Sequence, residues 1–304
     1  MKHNNTIGFI GLGSMGFHMA GHLANEGYNM MIYDIDKVTA DNFIQSHSNV
    51  EKKMSPKKIA DYADIVLVSL PTPEVVKAVA IGENGLMYGN KIKEYIDLST
   101  TGQDVSTEIA NILQTNNIKV LDAPVSGGVI GAKQKTLSII TAGDRSLATK
   151  CTDLLLTIGK KITHIGEEVG QAQMMKLINN LLSSTAITAT SEAMTLGVKA
   201  GLDSRKMLDV LNMSSGRSSA TEDKVAQYML NRTFDYGFSM DLAYKDLKLC
   251  MELAEKNQVP MFVGENTTQL WKYAISQGYG KKDFTNILNI FENWSSTIVE
   301  DKKT

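Results

Sequence analysis

The run Gly8-Phe9-Ile10-Gly11-Leu12-Gly13-Ser14-Met15-Gly16 ends an apolar stretch and opens a helical pattern, and no other segment restricts the fold as much. In a strand-turn-helix setting each glycine has its own task. Gly11 permits the tight turn, Gly13 lets a pyrophosphate approach the backbone, and Gly16 lets the helix pack closely on the strand while its first amides face the anion. Gly11, Leu12, Gly13, Ser14, Met15 and Gly16 are thus candidate cofactor contacts. An ordinary glycine-rich turn would leave the next acidic residue unexplained. The second strand, Tyr28 to Tyr33, ends in Asp34, near the spacing of about 20 residues at which a carboxylate accepts hydrogen bonds from the adenine ribose. A carboxylate there repels a 2'-phosphate, and Ile35 and Asp36 supply no arginine, so NAD is expected over NADP. Lys37 is the one neighbour that works against this.

Seven short apolar runs alternate with helical patterns up to Gly166: TIGFIG, YNMMIYD, DIVLVSLP, YIDLST, IKVLDAP, LSIITAG and ITHIG. Strands alternating with helices predict an α/β domain with a mostly parallel, doubly wound sheet of Rossmann type. The later segments read as helices: Gly170 to Ala200, Ser204 to Asn212, Ser239 to Gln258, Phe262 to Gln277 and Asp283 to Ser296. The expected division is a cofactor-binding domain over residues 1–166 and an all-helical domain over 167–304, joined by the long helix from Gly170. Gly201-Leu202-Asp203 supplies a stop for that helix and Ser204 an N-cap for the next.

Composition narrows the function classes. The formal net charge of -2 is spread along the chain without a basic block, which argues against nucleic acid as a partner. Cys151 and Cys250 lack CxxC spacing, and His3, His18, His22, His47 and His164 show no H-E-x-x-H pattern, so no metal site is expected. His18 and His22 share a helix face that should pack on the sheet. There is no stretch near the ~20 apolar residues of a membrane span and no apolar core of signal-peptide length, so the expectation is a cytoplasmic protein. The apolar positions from Phe262 to Ser296 exceed what a small helical domain buries alone, which points to a homodimer or homotetramer.

Five further segments offer chemistry. Leu70-Pro71-Thr72 and Leu98-Ser99-Thr100-Thr101 end two strands at the carboxyl edge, where ligands bind in open sheets, although Pro, Ser and Thr are also common turn formers. Asp122-Ala123-Pro124-Val125-Ser126-Gly127-Gly128 breaks the strand pattern with amides and a hydroxyl suited to a carboxylate, or simply forms a flexible turn. The helix from Gly170 is apolar around most of its circumference and should be largely buried, yet it carries Lys176, with Gln173 and Asn180 on the same stripe. A buried lysine has its pKa lowered from ~10.4 towards values useful in proton transfer. The alternatives are snorkelling to solvent or pairing with Glu168. Lys245-Asp246 lies inside an apolar helical run, where it could equally be an exposed pair.

In combination these motifs resemble the β-hydroxyacid dehydrogenase family: GFIGLGSMG, LPTPEVV at Leu70 to Val76, DLSTT at Asp97 to Thr101, DAPVSGG at Asp122 to Gly128, KLINN at Lys176 to Asn180, and KDL at Lys245 to Leu247. The resemblance spans nearly the whole chain. It implies a nicotinamide-dependent oxidoreductase acting on a small β-hydroxyacid of the 3-hydroxyisobutyrate or 2-hydroxy-3-oxopropanoate/glycerate type. Lys176 would be the catalytic acid/base, Ser126, Gly127, Gly128 and Asn180 would bind substrate, and Leu70, Pro71, Thr100 and Lys245 would line the cofactor. Two alternatives stay open: a reductase of a sulfonated or phosphorylated semialdehyde, and a non-catalytic cofactor-binding scaffold. Imine-reducing relatives usually lack the lysine. The chain also departs from the pattern, with Lys135 where relatives usually have glycine, and Ser219 and Ala220 where aromatic residues often follow the Ser214-Ser215-Gly216-Arg217-Ser218 segment.

Overall fold

The strands Ile7–Ile10 and Ile65–Val68 are buried on both faces, which is why they read as unbroken apolar runs rather than alternating ones. A computed structural model describes residues 5–301. Nine strands form one sheet: β1 (Ile7–Ile10), β2 (Met30–Tyr33), β3 (Val50–Lys52), β4 (Ile65–Val68), β5 (Glu94–Asp97), β6 (Lys119–Asp122), β7 (Val125–Ser126), β8 (Leu137–Gly143) and β9 (Gly159–Gly166). They run in the order β3-β2-β1-β4-β5-β6-β8-β7, with β9 beside β8. The first six pair in parallel; β8 lies antiparallel to β6 and β7 and parallel to β9. Seven of the nine match the apolar runs. The other two are short: β3 carries the exposed Glu51 at the sheet edge, and β7 is two residues inside the Asp122 to Gly128 segment.

Helices α1 (Gly16–Asn25), α2 (Lys37–Ser46), α3 (Pro56–Ala60), α4 (Pro73–Ile81), α5 (Gln103–Thr115), α6 (Gly128–Gln134), α7 (Arg145–Lys150) and α8 (Thr152–Leu156) connect the strands. Strand parity sorts the core. Ile7, Phe9, Ile65 and Leu67 join Met19, Leu23 and Phe43 in one cluster, while Ile10, Val66 and Val68 join Val76, Ile109 and Leu113 in another. The direction in which successive strands are added across the sheet reverses between the parallel neighbours β1 and β4, whose outgoing loops therefore diverge and leave a crevice at their carboxyl ends.

The chain forms two compact units that meet at Lys176 and Leu177. Helix α9 (Gln171–Lys199) contributes to both. The second unit adds α10 (Ser204–Asn212), α11 (Met240–Lys256), α12 (Phe262–Ala274) and α13 (Ile287–Ser295) around Trp271, whose Nε1 donates to Thr188 Oγ1 at 2.9 Å. The expected helices are present with three adjustments. α12 continues as wider turns over Ile275–Tyr279, where Gly278 has φ +84. A 3-10 turn, Phe284–Asn286, precedes α13. Ala220–Met229 forms a π-helix that apolar periodicity does not announce, because Glu222, Asp223 and Lys224 interrupt it; Lys224 is nonetheless buried.

Gly201, with φ +97, ends α9 in the expected way, but the cap of α10 is Asp203, which accepts from Lys206 N. Ser204 instead donates to the Glu300 carbonyl. The expected burial around α9 is incomplete, since Ile178 and Leu182 are exposed in the single chain.

Candidate active site

The three glycines of the first turn occupy three different steric situations. A Cβ on Gly11 would meet the Ser69 carbonyl oxygen at 2.2 Å, in a residue with φ +94. One on Gly16 would meet the Gly11 carbonyl oxygen at 1.9 Å. At Gly13 a Cβ would meet nothing within 4 Å, so the surface there is open to a ligand. Helix α1 begins with no side-chain cap and no acid in its first turn, which leaves its orphan amides and positive end available to an anion. These features fit the diphosphate of a dinucleotide.

Asp34 follows β2 and is tied back to the same turn. Its Oδ2 accepts from Leu12 N at 2.5 Å and its Oδ1 from Asp36 N at 2.7 Å. Each oxygen keeps a lone pair for a ribose hydroxyl. Asp36 caps α2 through Val38 N and Thr39 Oγ1, and these bonds hold its carboxyl below the usual range.

The strand-end loops interlock. Leu70 N donates to Ser99 Oγ at 2.9 Å, and Ser99 N to Asp97 Oδ1 at 2.8 Å. Leu70, Pro71 and Thr100 therefore sit on a fixed edge rather than on independent turns. Thr72 caps α4 from the first of these loops.

The Ser126-Gly127-Gly128 segment is ordered by pairing: Ser126 opposes Ser138 across β7 and β8, and Gly127 (φ +134, ψ 0) then starts α6 in a conformation that a side chain disfavours. Lys135 ends α6 in the left-handed region with φ +59 and ψ 31.

Lys176 lies in the second turn of α9 and is 8% exposed. The first turn is anchored to the sheet. Gly170 N and Gln173 N donate to Asp122 Oδ2 at 2.8 and 3.2 Å, Gln173 Oε1 accepts from Thr101 N at 2.9 Å, and Gln173 Nε2 donates to the Ser99 carbonyl at 3.1 Å. Burial pushes the Asp122 carboxyl up to about 7, opposed by these amides and reinforced by Asp97, its register partner on β5.

Asn180 follows one turn after Lys176 on α9, and within the second unit its Nδ2 donates to Asp246 Oδ2 at 2.6 Å. Lys245 Nζ lies 3.1 Å from Asp246 Oδ1. Asp246 is 3% exposed and so is no surface partner of Lys245. Its spacing in the stripe Ala243, Asp246, Leu247 and Cys250, all buried on α11, could have revealed this. Asp122 and Gln173 were also legible as polar residues in apolar surroundings, but their roles depend on pairings distant in sequence.

Comparison with known proteins bears on the family and the fold. Residues 6–166 match the family model described as the NAD binding domain of 6-phosphogluconate dehydrogenase, and residues 170–291 match that described as NAD-binding of NADP-dependent 3-hydroxyisobutyrate dehydrogenase. A 2-(hydroxymethyl)glutarate dehydrogenase of Eubacterium barkeri is 33% identical over 300 residues, covering 98% of this chain and 99% of that protein. The mitochondrial 3-hydroxyisobutyrate dehydrogenase of Mus musculus is 34% identical over 296 residues, covering 94% and 87%. A solved structure of Mycobacterium tuberculosis 3-hydroxyisobutyrate dehydrogenase with L-serine aligns with a TM-score of 0.84 at 28% identity, covering 94% of this chain and 98% of that one. No helix among the described residues is long and apolar enough to cross a membrane. With the glycine turn, the anchored lysine helix and these matches along the chain, the protein belongs to the β-hydroxyacid dehydrogenase family and is a nicotinamide-dependent oxidoreductase acting on CH-OH groups.

Proposed function

We propose that this enzyme interconverts a short β-hydroxyacid, of the 3-hydroxyisobutyrate or 2-hydroxy-3-oxopropanoate/glycerate type, and its semialdehyde, using NAD, with Lys176 as the proton-transferring residue. The observation that carries this is the burial of Lys176 one turn beyond Gln173, whose amide binds both Ser99 and Thr101. A lysine so enclosed on an anchored helix has a task or a partner rather than a solvent role.

The nicotinamide, when bound, supplies or accepts the hydride. In the reducing direction the Lys176 ammonium polarises the carbonyl and gives up its proton; in the oxidising direction the neutral amine takes the hydroxyl proton. Ser126, Gly127 and Gly128 hold the substrate carboxylate, and Asn180 orients the hydroxyl. Gly11 to Gly16, Leu70, Pro71, Thr100 and Lys245 hold the cofactor. The Eubacterium relative is named for an acid whose hydroxyl is also β to a carboxylate, which supports this substrate class.

Asp34 supports NAD, because an added 2'-phosphate would approach a carboxylate already fixed by two amides. In this reading residues 1–166 bind cofactor, while 167–304 contribute substrate contacts and the surface of a homodimer or homotetramer. Phe262 and Val263, 81% and 67% exposed, support association through these helices. The two free cysteines suit a reducing compartment, and the cytoplasm is the proposed location.

The test is NAD and NADP reduction across hydroxyacids that differ in chain length and in a second anionic group, with Lys176→Ala alongside. The variant should bind NAD normally and lose turnover by orders of magnitude. Near-normal turnover would remove Lys176 from its role, and inactivity of the unaltered enzyme across the panel would favour a scaffold.

A further inference from the structure

At the start of helix α9 Gln171 N donates locally, to the Glu168 carbonyl at 3.3 Å. Gly170 stands at the cap position with φ +102 and has no side chain to offer, although the first amides of a helix need acceptors. The acceptor comes from the end of β6, 48 residues earlier in the chain, where Asp122 Oδ2 takes both Gly170 N and Gln173 N. Asp122 is completely buried, and its Oδ1 has no hydrogen-bond partner. As a stabilising device this is a poor one, because a carboxylate is desolvated beside Asp97 while an uncharged acceptor could serve the same amides.

Two geometric facts give the arrangement another purpose. Lys176 is three residues beyond Gln173, and a slip of the helix by one residue would move it about 1.5 Å along the axis and turn it by about 100°. Asp122 also opens the segment that leads through Pro124 to Ser126, so one side chain ties the start of the lysine helix to the origin of the Ser-Gly-Gly loop.

We propose that Asp122 is a positioning residue that sets the location of the Lys176 ammonium relative to the carboxylate-binding loop by capping α9 across the sheet. The proposal rests on the assignment of Lys176 as the acid/base. Asp122 acts through its acceptor oxygen: asparagine, which offers the same oxygen to Gly170 N and Gln173 N, replaces it, and alanine does not.

The experiment compares Asp122→Asn, Asp122→Ala and Lys176→Ala in the full-length enzyme with NAD and the best hydroxyacid of the panel. Asp122→Ala should lower kcat roughly 10- to 100-fold, as misplacement of a reacting group does, with the NAD Kd within about twofold of the unaltered enzyme. It should also speed amide hydrogen exchange in the first turn of α9. Asp122→Asn should keep kcat within about threefold and restore slow exchange. An Asp122→Ala enzyme with unaltered kcat, or an Asp122→Asn enzyme as impaired as the alanine variant, overturns the proposal. If Asp122→Ala does not fold, Asp122→Ser, whose oxygen falls short of the amides, takes its place with the same expected kcat and exchange signature. If Lys176→Ala retains turnover, the acid/base assignment has failed; if it is inactive while Asp122→Ala is not, only the positioning role has failed.

Discussion

Asn180 Nδ2 and Asp246 Oδ2 are 2.6 Å apart, a partly buried charge-assisted hydrogen bond within the second unit whose carboxylate also lies beside Lys245. A proposed substrate contact and a proposed cofactor contact therefore share one carboxylate. Removing it takes from the Asn180 amide its carboxylate acceptor, a loss of about 1.5–3 kcal/mol for a bond to a charged group. Asp246→Ala is predicted to lower stability by about that amount in urea unfolding and to reduce turnover about tenfold or more. A double-mutant cycle with Asn180→Ala should give a coupling of about 1 kcal/mol; strict additivity would separate the two residues.

Cofactor choice is predicted to depend on Asp34. Asp34→Ser removes the carboxylate proposed to face the ribose and should shift the ratio of NAD to NADP efficiency towards NADP by about 10- to 100-fold, the equivalent of about 1.4–2.8 kcal/mol. Steady-state kcat/KM with each dinucleotide checks this, and an unchanged ratio would assign selectivity elsewhere, Lys37 being the nearest candidate.

Lys135 holds a left-handed conformation at the end of α6 that costs a non-glycine residue about 1–2 kcal/mol. Lys135→Gly removes that strain but gains chain entropy in the unfolded state, so a net stabilisation of about 0.5–1 kcal/mol is expected by thermal or urea unfolding. If the same change also alters substrate preference, the lysine charge contributes to selection as well as to backbone geometry.

The Asp122 carboxyl predicts a pH dependence of stability. Its folded value of about 7 exceeds the ordinary value of 3.8, so between those limits the native state keeps a proton that the unfolded chain has released. Stability from this group therefore falls as pH rises from about 4 to 7 and levels off above, by about 4 kcal/mol at most. Asp122→Asn lacks the titration. Its Tm should exceed that of the unaltered enzyme by a margin that grows from pH 5 to pH 8, and a constant margin would rule out a raised carboxyl.

Much of the strand and helix order was legible because strands such as Ile7–Ile10 and Ile65–Val68 are continuous or near-continuous apolar runs and helices such as Gln103–Thr115 have an apolar stripe. The glycine turn was legible residue by residue, since Gly11, Gly13 and Gly16 have distinct steric duties that only one local geometry demands. What escaped has a common cause. The acceptor for Gly170 N is 48 residues away, the acceptor for Asn180 Nδ2 is 66 residues away, and neither spacing repeats. The Ala220–Met229 helix was hidden because Lys224 is buried against expectation for its residue type.

Asp34 has a consequence for how such an enzyme can change over time. The carboxylate proposed to select the dinucleotide also receives Leu12 N and so helps to shape the glycine turn. A lineage drifting towards the phosphorylated cofactor cannot simply discard the acid, because the turn would lose an anchor in the same step. A compensating acceptor has to arise first or together with it, which makes the proposed preference for NAD an evolutionary ratchet rather than a freely adjustable setting.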